Sequence, residues 1–279
     1  LEKSDSKTIK LNEITTNYKF GNYGHGVIND NNDLNAINYL NEKESMNNFD
    51  LPFGYKIDLF ASEKDFPDLA NPVQISFDNK GRLWVATMPS YPHFKPGDRY
   101  PNDKLLILED IDLDGRADKQ IIFADNLHLP VGFEFGKNGV YVSQGTNLVF
   151  LSDTDGDDKV DFKEIVLSGF DDHDTHHNIS AFSADPSGAI YMGQGVFLHA
   201  NIETSYGPIH GTNGGFFRYN PLRAHLERTV QNYFIPNPWG IAFDKWGQNF
   251  FTDTSGPEIR WMMPVSIKPL YGVGIKKPP

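Results

Sequence analysis

One pattern occurs four times in this chain and restricts the folds it can adopt. Each copy has a short β-prone run, a tight turn containing glycine, and a second β-prone run. The turn glycines are Gly81, Gly139, Gly188 and Gly247, which lie 58, 49 and 59 residues apart. Glycine adopts the positive φ that such turns require. A period near 50 with short strands is typical of β-propeller blades, and a β-sandwich with repeated turns is the alternative.

The repeat therefore predicts an all-β propeller over residues 50–279, after a polar N-terminal extension at residues 1–49. Four copies do not complete the usual ring, so we expect a six-bladed type truncated to about four blades. Gly54–Ala61 is predicted to be one further strand, and Leu34–Met46 a short helix.

Composition excludes several classes of function. The 279 residues include no cysteine, which rules out disulfide frameworks and cysteine-ligated metals. The net charge of −12 argues against nucleic acid as a partner, because phosphates attract basic surfaces. No apolar run reaches the roughly 18 residues of a membrane-spanning helix. We expect a periplasmic or extracellular protein that could associate with a membrane.

Two acidic loops follow the spacing by which a twelve-residue loop binds calcium through oxygen atoms. The first has carboxylates at loop positions 1, 3, 5 and 9, with a backbone carbonyl at position 7. The second adds a carboxylate at position 12. The predicted metal ligands are Asp110, Asp112, Asp114, Arg116 and Asp118 in the first loop, and Asp153, Asp155, Asp157, Lys159, Asp161 and Glu164 in the second. The alternative is a pair of solvated acidic hairpins.

A third cluster contains three histidines and three aspartates within residues 171–177, where the third copy begins. Alternation along a strand would send the side chains of His176 and His177 to opposite faces, so that one of them faces the propeller funnel. The cluster could act as an acid or base, bind a transition metal, or brace two blades through a His–Asp network. A long insert between Gly195 and Gly215 is expected to rim one end of the propeller.

The chain resembles a family of propeller proteins classed as membrane-bound dehydrogenases and often fused to a haem-binding Cys-x-x-Cys-His domain. Because this chain has no cysteine, such a cytochrome domain would lie outside it. The resemblance covers roughly residues 50–255. The matching stretches are Gly54–Phe60, Asn71–Thr87, Lys104–Phe123, Leu148–Phe170, Asp174–Gly195, Ile202–Pro208 and Asn237–Asp253.

That family is in turn distantly similar to soluble quinoprotein sugar dehydrogenases, which are six-bladed propellers that use pyrroloquinoline quinone (PQQ) and calcium. This similarity implies that His177 is the catalytic base and that Asn237 binds the quinone. Asp174 and His176 of the same cluster are further candidate catalytic residues. Trp239, at the entry of the fourth copy, is a candidate cofactor-binding residue that could stack on a planar cofactor or a sugar ring. Pro236 stands where those enzymes have an arginine that neutralises quinone carboxylates.

Three functions follow as hypotheses. The first is an oxidoreductase that acts on CH–OH groups of a sugar or alcohol and passes electrons to a cytochrome domain or another acceptor. The second is a non-catalytic, calcium-stabilised propeller that binds carbohydrate or a protein. The third is a hydrolase that uses His and Asp side chains in the funnel.

Overall fold

The structure is a computed structural model that describes residues 40–91, 101–229, 235–255 and 258–262. The chain divides into two compact units, residues 1–59 and 60–279. In the first unit, helix α1 (Glu42–Asn47) begins at a capping box formed by Asn41 and Glu44. The predicted helix covers Leu34–Met46, of which residues 34–39 lie outside the described residues. In the described part, the helix begins at Glu42.

Among the described residues, the second unit contains four blade sheets and one separate two-stranded sheet, and neighbouring strands in each run antiparallel. Blade 1 contains β1 (Pro72–Phe77), β2 (Leu83–Thr87), β3 (Asp103–Glu109) and β4 (Lys119–Leu127). Blade 2 contains β5 (Phe133–Gly136), β6 (Gly139–Gln144), β7 (Asn147–Ser152) and β8 (Phe162–Ser168). Blade 3 contains β9 (Ser180–Ala184), β10 (Ile190–Gln194), β13 (Gly215–Asn220) and β14 (His225–Thr229), and blade 4 contains β15 (Pro238–Phe243), β16 (Asn249–Asp253) and β17 (Glu258–Trp261). A separate hairpin of β11 (His199–Ile202) and β12 (Ile209–Thr212) is inserted in blade 3.

The first strands of successive blades lie side by side, as in a propeller. Gln74 of blade 1 exchanges side-chain hydrogen bonds with the backbone of Phe133 in blade 2. Glu134 of blade 2 accepts one from the amide of Ala184 in blade 3. Strand β15 of blade 4 in turn contacts β9. The all-β propeller prediction is therefore confirmed, with four blades in the part of the chain that the structure describes.

Apolar side chains fill the spaces between blades, because each sheet has one apolar face toward each neighbour. The layer between blades 1 and 2 includes Trp84, Ile107 and Phe133. The layer between blades 3 and 4 includes Phe216 and Phe251. These layers fix where the connections at the blade ends meet.

The hairpin turn of the repeat is closed by an aspartate in three copies. Oδ1 of Asp78, Asp185 and Asp244 accepts from the amides two and four residues later, over 2.8–3.1 Å. The glycines Gly81, Gly188 and Gly247 have φ of 80–81°. This motif is an Asx-type turn, in which the side chain replaces backbone acceptors.

The second copy differs from the prediction. Here Asn138 has the positive φ of 64°, and Gly139 has an ordinary φ. Asparagine tolerates this conformation because its short amide bonds locally. Gly139 instead allows close packing, since a Cβ there would lie 2.4 Å from the Phe150 ring and from the Leu151 carbonyl oxygen.

Two further expectations concern a strand at Gly54–Ala61 and membrane-spanning helices. Residues 55–61 form no strand, so the extra strand predicted at Gly54–Ala61 is wrong. This segment makes no ladder, although the carbonyl of Phe60 accepts a hydrogen bond from the amide of Ala117. Among the described residues, no helix has the length and hydropathy needed to cross a membrane.

Candidate functional site

The histidine cluster lies in the connection from β8 to β9, at the end of blade 3 where its first strand begins. Thr175–His177 form a 3₁₀ turn rather than a strand, and the amide of His177 bonds the carbonyl of Asp174 at 2.9 Å. The expected alternation of His176 and His177 is therefore wrong, because a period of two does not apply to a turn. Their ring centroids lie 4.0 Å apart.

The side chain of His177 links blades 3 and 4. It is 6% exposed, and its Nε2 lies 2.5 Å from Oδ1 of Asn237, which directly precedes β15. Its Nδ1 lies 2.9 Å from Oδ2 of Asp174 but has no hydrogen-bond partner. Because Asn237 belongs to blade 4, the His177 ring is buried where blades 3 and 4 meet.

Gly195 makes room for this buried ring. A Cβ at Gly195 would lie 2.5–2.7 Å from three atoms of the His177 side chain, and its amide bonds the His177 carbonyl at 2.9 Å. Sequence reasoning missed this residue. Its signal in the sequence is a glycine directly after β10 that no turn requires.

His176 is the more accessible histidine, with a side chain that is 43% exposed. Its Nδ1 lies 2.9 Å from Oδ1 of Asp174, so one carboxylate faces both imidazoles. Burial and the neighbouring His177 lower the pKa of His176, while Asp174 acts in the opposite direction. Tyr91 lies edge-on to the His176 ring, with centroids 6.4 Å apart.

Of the two predicted cofactor residues, the structure brings Asn237 to the cluster. Its amide nitrogen Nδ2 donates to Oγ of Ser255 at 2.6 Å, and its backbone amide bonds buried Asp253 at 3.2 Å. Trp239 is 38% exposed and is the extra residue of a β-bulge, since Pro238 pairs with Asp253 and Gly240 with Thr252.

These residues do not fit a PQQ cofactor. The side-chain oxygen of Asn237 already bonds His177, and its side-chain nitrogen already donates to Ser255. The surrounding charge is negative, while PQQ carries carboxylates that need cations. Arg260 lies 4.0 Å from the carboxylate of Asp253, so the positive charge of Arg260 is already paired with that carboxylate.

The two acidic loops connect β3 to β4 and β7 to β8 and share one geometry. In each loop, the carboxylates at positions 1, 3 and 9 have oxygens within 4.8 Å of one another; these are Asp110, Asp112 and Asp118, and Asp153, Asp155 and Asp161. Asp114 and Asp157 at position 5 accept from the amides of Arg116 and Lys159, and the carboxylates at positions 1 and 9 also accept from amides of their own loop. Glu164 lies on β8 opposite Phe150. The pKa of Tyr141 is raised mainly by burial and, to a smaller extent, by the charge of Glu164.

The loops also share backbone conformation, although their glycines differ in position. Positions 4 and 6 have positive φ in both loops: Leu113 and Gly115 in one, Gly156 and Asp158 in the other. Asp158 therefore adopts the conformation for which calcium loops use glycine. The second-loop Asp153 has a pKa below its ordinary value because the amides of Gly156 and Asp158 outweigh the effect of burial.

The predicted metal loops and the histidine cluster do not form one site. Strand direction alternates within a blade, so the β3–β4 and β7–β8 loops lie at the same end as the β1–β2 turn. The connection from β8 to β9 lies at the opposite end. Consistent with this, Asp158 of the second loop is paired with Arg82 of the β1–β2 turn at 2.9 Å.

A cleft of about 500 Å³ lies beside the histidine cluster. It is lined by Thr146, Phe170, Asp171, Asp172, His173, Phe197 and His199. The ring of Phe197 is 70% exposed, its centroid lies 6.3 Å from that of His177, and its φ is 69°. The insert was expected to rim this end, but the sequence did not single out Phe197.

Comparison with solved structures finds β-propeller enzymes at low similarity. A candidate gluconolactonase is 13% identical with a TM-score of 0.42, and the match covers 69% of this chain and 61% of that one. A candidate 6-phosphogluconolactonase from Bacteroides uniformis is 11% identical with a TM-score of 0.38, covering 68% and 53%. Virginiamycin B lyase from Staphylococcus aureus is 13% identical with a TM-score of 0.35, covering 71% of each chain.

The chain thus spans 61% and 53% of the length of the first two of these structures. No curated protein matches the sequence. The family model described as "Domain of unknown function (DUF7133)" matches residues 41–269. That match covers most of the chain, and the chain therefore belongs to the DUF7133 family.

Proposed function

We propose that this chain provides the substrate-binding end of an oxidoreductase that acts on a CH–OH group of a sugar or alcohol. The observation that carries the proposal is the position of Phe197. It combines an exposed aromatic ring, a sparsely populated backbone conformation and proximity to the histidine cluster.

Positive φ at a residue with a Cβ costs about 1–2 kcal/mol, so a protein keeps it where the surroundings require it. At Phe197 the backbone amide is held by Oδ1 of Asn213 at 3.3 Å. The ring thereby stays at the cleft, although burial does not hold it there. An exposed ring of this kind can stack on the apolar face of a sugar, the role that the sequence assigned to Trp239.

Carboxylates of the same cleft can bind sugar hydroxyls. Asp171 accepts from the amides of His173 and His199, at 3.0 and 2.6 Å. Burial would raise the pKa of Asp171, but these bonds and the His173 side chain lower it, so the group stays ionised. An ionised carboxylate is a strong acceptor for hydroxyl donors.

The group formed by Asp174, His176 and His177 is adjacent to this cleft and would stabilise the alkoxide that forms when a substrate hydroxyl gives its proton to water. Hydride would then pass from the carbon that bears this oxygen to a two-electron acceptor bound outside the cluster, leaving a carbonyl group. Because PQQ does not fit the residues at Asn237, no step is assigned to that cofactor.

A second function rests on a different observation, the shared geometry of the two acidic loops. Three neighbouring carboxylates in each loop, and positive φ at the same two loop positions in successive blades, support calcium at Asp110–Asp118 and Asp153–Asp161. On this view the protein is a calcium-stabilised propeller that binds carbohydrate without chemistry.

Calorimetric titration of the full chain with a panel of sugars and alcohols tests the first step, and reduction of an artificial electron acceptor tests the second. Phe197→Ala should weaken binding about fivefold to tenfold, the value of one aromatic contact, at unchanged melting temperature. Phe77→Ala is the matched control, since Phe77 is also exposed (62%) but lies at the opposite end of blade 1.

Equal binding by the parent and the Phe197 variant would overturn the assignment of the cleft. Binding that depends on Phe197 without reduction of any acceptor would favour the non-catalytic propeller.

A further inference from the structure

The two nitrogens of the buried His177 ring have unequal surroundings. The Asn237 amide directs its nitrogen at Ser255, so its oxygen faces Nε2 of His177 and accepts that proton. The lone pair of neutral His177 is then on Nδ1. This atom lies 2.9 Å from the anionic Oδ2 of Asp174 and has no hydrogen-bond partner.

Two acceptors at this separation repel each other unless a cation lies near both. If that cation were a proton on Nδ1, the N–H should point at the carboxylate and make a charge-assisted hydrogen bond. The observed orientation of His177 does not meet hydrogen-bond geometry. Lone pairs that converge on a shared atom, rather than on each other, are the pattern of metal ligands.

His176 completes the arrangement. Its Nδ1 lies 2.9 Å from the other oxygen of Asp174, and one ligand atom from each of the three residues lies within 4.8 Å of the other two. Imidazole nitrogen and carboxylate oxygen bind such ions at about 2.0–2.2 Å, so two neighbouring ligands are about 3 Å apart in an octahedral site and about 3.4 Å apart in a tetrahedral site. The distance of 2.9 Å from Asp174 to each histidine is nearer the octahedral value.

We propose that Asp174, His176 and His177 form a binding site for a divalent first-row transition metal ion. Two imidazoles favour zinc, iron or a similar ion over calcium and magnesium, which select oxygen ligands. Three protein ligands leave a coordination position open to water or a hydroxyl. The side chain of His176 is 43% exposed, so solvent can reach this ligand.

The surroundings of His177 support the same ion. Metal-bound histidine usually donates its second ring N–H to a carbonyl or carboxylate, which fixes the tautomer. Oδ1 of Asn237 accepts that proton here, and Gly195 admits the ring. Asn237 is thus a positioning residue for the metal, rather than a ligand of an organic cofactor.

The neighbouring cluster of Asp171, Asp172 and His173 provides a contrast. His173 has a side chain that is 91% exposed, and its Nδ1 makes a 2.7 Å hydrogen bond with Asp171. That imidazole and carboxylate satisfy each other. The unpartnered, buried nitrogen is found only at His177 among the histidines of these two clusters.

The metal site stands on this geometry alone, and only its use in ionising a substrate hydroxyl rests on the proposed function. The test is titration of the chelator-treated full chain with Co²⁺ in excess Ca²⁺, followed by visible absorption and by metal analysis after gel filtration. We expect one Co²⁺ per chain and an absorption band indicating nitrogen ligands.

His177→Ala and His176→Ala should each weaken Co²⁺ binding at least tenfold, and His173→Ala should leave it unchanged. Because His177→Ala could impair folding, Asn237→Ala provides a second measurement. It keeps all three ligands and should weaken binding about 10- to 100-fold, as removal of such a partner does elsewhere, whereas Asn237→Asp should retain it.

Co²⁺ binding that survives His176→Ala, or that is lost in His173→Ala, would overturn the proposal. So would the absence of a bound ion in a folded parent protein. These readouts need no substrate, so failure of the metal site is separate from loss of sugar binding in Phe197→Ala.

Discussion

The aspartate of the first hairpin turn is predicted to contribute far more stability than its counterpart in the fourth blade. Asp78 accepts four hydrogen bonds of 2.9–3.0 Å: from the amides of Lys80 and Arg82, from Arg82 Nε and from Trp84 Nε1. Asp78 and Arg82 have side chains that are only 10% and 9% exposed. Asp244 accepts from two backbone amides in the equivalent turn.

Substitution by asparagine separates these contributions. Asp78→Asn keeps the oxygen that serves the two amides but turns an NH₂ group toward the donors of Arg82 and Trp84. Breaking a buried ion pair costs about 3–5 kcal/mol. Arg82 retains Asp158 at 2.9 Å, so we expect about 3 kcal/mol for Asp78→Asn. Asp244→Asn should cost less than about 1 kcal/mol.

The effect should also depend on pH. Burial would raise the pKa of Asp78, but hydrogen bonds from Trp84 and Arg82 and the charge of Arg82 together lower it. A depressed folded-state pKa contributes stability that is present above the unfolded value of about 3.9 and is lost as pH falls through the folded value. The cost of Asp78→Asn should therefore be full at pH 7 and smaller at pH 3.

Urea unfolding of the parent and both variants at the two pH values measures these differences. Equal costs for Asp78→Asn and Asp244→Asn at pH 7 would show that the side-chain donors contribute little. A cost that grows on acidification would contradict the direction of the pKa shift.

Two other predictions concern the loops and the buried histidine. Chelation of calcium should lower the melting temperature, because an ion bound only by the folded state adds stability. The double variant Asp153→Ala, Asp155→Ala should no longer respond to the chelator. An unchanged melting curve of the parent protein would refute calcium at both loops. Gly195→Ala should lower the free energy of unfolding by about 1–3 kcal/mol through overpacking, because its Cβ would lie 2.5 Å from the His177 ring. The same displacement of the ring should weaken Co²⁺ binding. Retained Co²⁺ affinity would show that the position of the ring is not critical.

Local turn chemistry explains why the propeller could be predicted from the sequence. Asp78, Asp185 and Asp244 each sit three residues before a glycine and close the turn within five residues, so the signal is contained in a short window. The second copy shows the limit of this reasoning. In that copy Gly136 pairs with Gly139, so the turn has only two residues and Asn138 takes the positive φ.

The candidate site was only partly predictable, because its geometry depends on contacts between blades. His177 and Asn237 are 60 residues apart and meet only when blades 3 and 4 pack together. The 3₁₀ turn that places both histidines beside Asp174 left no periodic pattern. Likewise, the backbone conformation of Phe197 depends on its hydrogen bond to Asn213, in another part of the insert.

The separation of the acidic loops from the histidine cluster has a practical consequence. A six-residue strand spans about 20 Å, more than twice the Debye length of about 8 Å at physiological ionic strength. Charges introduced at one end of a blade therefore have almost no electrostatic effect at the other end. The exposed loop residues Ile111 and Leu113, which are 63% and 85% exposed, are thus suitable attachment points for a fluorophore or surface tether that leaves the opposite mouth open to solutes.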